Sequence, residues 1–136
     1  MDTITEEPVP TETPTVVRLV IPRALEFVPL ARVTVAGYAA RLGFDVDEIE
    51  DSRIAVDELA RILVEVGDGD MVDLELTGSN RRLDIEGHTT CSFDVDPPQL
   101  DPITAQILGA ICHEYGVIVD GGTVRFRAAI LGAATE

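Results

Sequence analysis

Between Asp47 and Val66 the apolar residues return every three or four positions: Ile49, Val56, Leu59, Leu63 and Val66. That period lines them along one side of an α-helix and predicts a helix over the segment. Asp47, Asp51, Glu58, Arg61 and Glu65 fall on the other side, and Glu58 shares its face with Ile54 and Ile62, four residues before and after it. A second stripe, Val28, Ala31, Val35, Tyr38 and Leu42, predicts a preceding helix. Pro29 suits its first turn, where a missing N–H costs little, and Gly43 closes it. Elsewhere the pattern alternates. The β-branched run 15–21 predicts a first strand ended by Pro22. MVDLELTG and LDIEGHTT, joined by the turn SNRR, read as a hairpin, and 115–120 with 123–130 read as another around Gly121 and Gly122. Asp101 can cap a third helix and Pro102 can open it, with the helix running to about Glu114. Cys91 to Leu100, with Pro97 and Pro98, reads as a loop. Helices on one face of a mixed, mainly antiparallel sheet give an α+β two-layer sandwich.

Composition refines this picture. The chain has 136 residues, enough for one domain with a real core, and 46% of them are hydrophobic. Residues 1–14, MDTITEEPVPTETP, are acidic and rich in Pro and Thr, and are expected to be disordered. The domain is expected over 15–131, with 132–136 frayed. The formal charge is −15, and all ten basic residues are Arg. So acidic a surface repels phosphate backbones and anionic lipid, which argues against direct nucleic-acid or membrane binding and favours a basic protein partner. The same charge also serves solubility alone. No stretch reaches the roughly 18 apolar residues that span a bilayer, and the acidic start is unlike a signal peptide, so a cytoplasmic protein is expected.

The run IPRALEFVPLARVTVAGYAARLGFDVDEIEDSRIAVDE, above all ARVTVAGYAARLGF and EIEDSRIAVDE, resembles the opening of the RsbW-like anti-sigma factors, serine kinases of the GHKL ATPase superfamily. DGGTVRFRAAI resembles the last strand of their fold. The resemblance implies a GHKL-type sandwich and a stress-response regulator of transcription. It implies a sigma factor and an anti-anti-sigma protein as partners, and a homodimer formed through the first strand and helix. It also implies an ATP–Mg site between helices and sheet, with Glu58 at the position of the general base. Four residues on, where the family places a magnesium-holding Asn, stands Ile62, which has no lone pair for a hard cation. The adenine-reading Asp of an Asp–x–Gly step falls near Thr89 or Thr90. The glycine-rich phosphate loop corresponds to DPPQLDPITAQIL, which has three prolines and no glycine.

With three nucleotide elements missing, the expected function is an anti-sigma-like regulator that sequesters a sigma factor without ATP-dependent kinase activity and without a cofactor. Glu58 is then a half-buried carboxylate paired with Arg61 or Arg53, and Ile62 helps fill the vacated pocket. The alternative is an active serine/threonine kinase using ATP and magnesium. A fold-only sensor or scaffold is a third possibility. Arg32, matching an arginine that contacts partners in the family, is a candidate for partner binding, since its planar fork pairs carboxylates and stacks on apolar surface. Val28 and Val35 join it through the stripe that, with the unpaired first strand, offers a surface to a second copy. His88, Cys91, Cys112 and His113 have part of a zinc spacing, but adjacent helical residues point about 100° apart. Neither Cys91 nor Cys112 has an arginine neighbour in sequence to activate a thiolate. Asp94 and Asp96 with Asp84 read as solvated charge.

Overall fold

The computed structural model describes residues 15–92 and 99–133. Its elements are β1 (Thr15–Pro22), a short 3₁₀ turn at Leu25–Phe27, α1 (Val28–Arg41), α2 (Val46–Val66), β2 (Met71–Ser79), β3 (Arg82–Thr90), α3 (Pro102–Ile111), β4 (Glu114–Asp120) and β5 (Thr123–Leu131). The strands form one sheet in the order β1-β2-β3-β5-β4. Every pairing is antiparallel, so among the described residues the sheet is antiparallel throughout and not mixed. The α+β sandwich is as expected.

Strict alternation decides which face is buried. Val72, Leu74 and Leu76 of β2, Leu83 and Ile85 of β3, and Val124, Phe126 and Ile130 of β5 point to the helices. They meet Val28, Ala31 and Val35 of α1 and Val56, Leu59 and Leu63 of α2 in one cluster. Gly87 is required here, because a Cβ at that position would come within 2.6 Å of the Phe126 ring and 2.7 Å of Leu74. α2 buries more than its predicted stripe. Ser52, Ala55, Ala60 and Val64 are also buried, since the helix lies on the sheet and has α1 and α3 against its sides.

The hairpin turns form as the sequence suggested. Asn80 and Arg81 both take positive φ, at 53° and 59°, and Gly121 and Gly122 do so at the other turn. α3 stops at Ile111 and not near Glu114, because the His113 N–H is taken by the Ala129 carbonyl and β4 begins at once. Gly132 and Ala133, expected to fray, are held: Gly132 N–H donates to Arg81 O at 2.7 Å and Ala133 N–H to Glu48 Oε2 at 2.6 Å. Residues 1–14, with the disorder expected of them, lie outside the described residues, as do 93–98 and 134–136. No helix among the described residues is long and apolar enough to cross a membrane.

Candidate functional site

Glu58 is positioned by α2, and α2 is fixed at its start by a reciprocal cap. Asp45 Oδ1 accepts the Glu48 N–H, and Glu48 Oε1 accepts the Asp45 N–H, each at 2.8 Å. Such a box satisfies two of the free donors of a helix N-terminus. Ten residues later Glu58 emerges half-buried, between Ile54 and Ile62 on the same face. Its Oε1 accepts the Thr104 hydroxyl at 3.2 Å, which joins α2 to the first turn of α3.

A cleft of about 400 Å³ opens beside this contact. Three carboxylates line it, from Glu58, Glu65 and Asp101, against one guanidinium, from Arg61. Ile62 faces the same cleft and packs partly on the core. On the other flank of Glu58 a smaller depression, about 130 Å³, is shared with Arg32, Arg53, Ile54 and Asp57. The structure thus brings Glu58 and Arg32 to one surface. Arg32 Nε lies 3.5 Å from Asp57 Oδ1, one residue before Glu58.

The local partners expected for Glu58 are not the ones it has. Arg53 pairs with Glu50 at 3.1 Å, and Arg61 makes no ion pair among the described residues. Thr104 was not foreseen, since 46 positions separate it from Glu58 and no local periodicity links them. Val28 and Val35 are corrected from partner surface to core: they are 2% and 1% exposed, on the side of α1 that faces the sheet and α2. Thr89 is buried, and its hydroxyl donates to Met71 O at 2.7 Å, while Thr90 is exposed. Most of the segment expected as a phosphate loop is α3 itself, capped by Asp101.

Cys91 is buried with Sγ 3.8 Å from Val66 O, and Cys112 closes α3. Neither forms a disulfide among the described residues. Burial, helped by the charge of Asp51, pushes the Cys112 thiol up to about 11, which disfavours its thiolate. His88 points to the open face of the sheet, across from Asp73 and Arg125. Among the described residues no three His, Cys, Asp or Glu converge as metal ligands. Asp84 is held by Arg82, while Asp94 and Asp96 lie outside the described residues.

Part of this chain is similar to serine-protein kinases named RsbW. The protein of that name from Halalkalibacterium halodurans is 42% identical over 52 residues, which is 38% of this chain and 32% of that protein. The one from Bacillus thuringiensis is 41% identical over 49 residues, 36% of this chain and 31% of that protein. The chain therefore spans about a third of the length of the curated relatives it matches. No protein-family model matches it.

Proposed function

We propose that this protein is an anti-sigma-type regulator that holds its partners by surface fit and does not transfer phosphate. The observation that carries the reading is the outer face of α1. Leu30 is 51% and Val33 is 71% exposed, and Pro29, Gly37 and Ala40 are exposed beside them, although the opposite face of the same helix is already in the core. A helix with apolar side chains exposed opposite its core face is marked for a cover on that side too. Val16 and Val20, on the edge strand β1, are 54% and 48% exposed. We assign α1 and β1 to a second copy of the chain, and the Arg32–Asp57 rim beside Leu30 and Val33 to a sigma factor. An anti-anti-sigma protein competes for that rim, and mass action between two partners for one surface then sets release. The partial similarity to RsbW kinases supports this class of regulator.

The cleft at Glu58 supports the absence of phosphotransfer. A triphosphate brings several negative charges to a place already lined by three carboxylates and one arginine. Ile62 offers no oxygen to magnesium where a ligand one turn beyond Glu58 would be needed. Titration calorimetry with ATP and magnesium is expected to give no heat of binding at micromolar concentrations. Co-purification of a sigma factor at near equal amounts is expected, and its loss in Arg32→Ala with the fold and the dimer intact tests the rim. The second reading, an active kinase, is favoured by the size of the cleft, which falls within the range of small-molecule sites. It requires label from ATP to appear on a serine or threonine of the antagonist, and to be lost in Glu58→Gln.

A further inference from the structure

We propose that the free edge of β4 is a docking strand for an extended peptide segment of a partner protein, one that alternates apolar and acidic residues. Among the described residues β4 pairs only with β5, so within them its outer row of backbone N–H and C=O groups is open. A groove of about 300 Å³ runs along it, lined by Glu114, Gly116, Ile118, Arg125 and Arg127. Gly116 sits at mid-strand with nothing within 4 Å of where a Cβ would be, and Ile118 beside it is 53% exposed. The glycine is the gap in the open face, directly across from Arg127.

Charge selects the occupant. In a chain of net charge −15, the charged residues lining this groove are two arginines and one glutamate. Glu114 pairs at 2.9 Å with Arg82, which also holds Asp84, Arg127 is only loosely held by Glu86 at 3.4 Å, and Arg125 makes no ion pair among the described residues. An added strand lies about 10 Å from β5, two strand spacings away. A glutamate placed opposite Gly116 crosses the glycine and reaches the Arg127 guanidinium, which a side chain at 116 would prevent. On the other face of the added strand, apolar residues extend the half-buried row Tyr115, Val117 and Val119.

The same edge is built against pairing with itself. An antiparallel β4–β4 contact centred on Val117 sets Glu114 opposite Asp120 twice, and like charges directly opposite destabilise a sheet. A different protein is therefore the occupant.

The test titrates the isotope-labelled full chain with two ten-residue probes, one alternating valine and glutamate, the other valine and lysine. The acidic probe is expected to shift the β4 amides and to bind at least about fivefold tighter than the basic one. Arg127→Glu reverses that preference. Gly116→Val weakens the acidic probe about tenfold while leaving the thermal midpoint near that of the parent, since the added methyls meet open space. Equal binding of both probes, shifts confined to β1, no β4 shifts, or β4 shifts that grow with protein concentration in the absence of a probe would each overturn the proposal. The last of these marks a second copy as the occupant.

Discussion

Asp51 sits among acids on the first turns of α2. Burial first, then repulsion from Asp47, Asp45, Glu50 and Glu48, lifts its carboxyl above the usual value of 3.8. An acid whose pKa rises on folding stabilises the native state only while it is protonated. Its contribution is full below the unfolded value and is lost as pH rises through the folded one. At pH 7 Asp51 therefore works against the fold. Asp51→Asn is expected to stabilise the protein there by about 0.3 kcal/mol, the scale of one like-charge pair a helical turn apart. Denaturant titrations should show the gain at pH 7 and none near pH 3. Thr104→Val removes the hydroxyl that Glu58 accepts and should cost about 1 kcal/mol. If Glu58 pairs with Arg61 in solution instead, that cost will be absent. The candidate site was only half legible in the sequence. Periodicity put Glu58 with Ile54 and Ile62, because positions four apart on one helix are neighbours by geometry. Nothing local could place Thr104 or bring Arg32 beside Asp57, since those contacts are made by packing between separate elements. The same packing moved Val28 and Val35 inward.

Elements were more legible, because each is written in its own period. The alternation in 71–78 and 83–90 returned as β2 and β3 with the register Leu74↔Gly87 and Leu76↔Ile85. The start of α2, expected at Asp47, falls at Val46, because Asp45 and Glu48 form a capping box that the apolar period does not reveal. Asp45→Ala is expected to lower the unfolding free energy by about 1 kcal/mol with an unchanged dependence on denaturant. The end of α3 was not legible. No Gly or Pro stands between Ile111 and Tyr115 to stop the helix, and only the bond from the His113 N–H to the Ala129 carbonyl, at the start of β4, does so. A helix end set by a strand elsewhere in the chain leaves no mark of its own in the helix.

For the whole molecule, the exposed faces of α1 and β1 carry the oligomeric prediction. Sedimentation should report a dimer for the parent and a monomer for Val20→Asp, with far-ultraviolet circular dichroism unchanged, since Val20 lies outside the core. The sheet closes over a long connection, because β1 returns to β2 only after both large helices. An edge strand brought in from so far along the chain is the piece most prone to peel away and trade places with its copy in a neighbour. Here it is latched at both ends. The Tyr38 hydroxyl donates to the Thr15 carbonyl at one end. At the other, Arg23 reaches the carbonyls of Val64 and Gly69, while its own N–H donates to Asp70 O at 2.9 Å. Unzipping from either terminus must break a latch before it frees a ladder bond. Those amide protons along 17–21 that bond to β2 should therefore exchange with deuterium as slowly as those of the central strands, and Tyr38→Phe should quicken them from the Thr15 end alone.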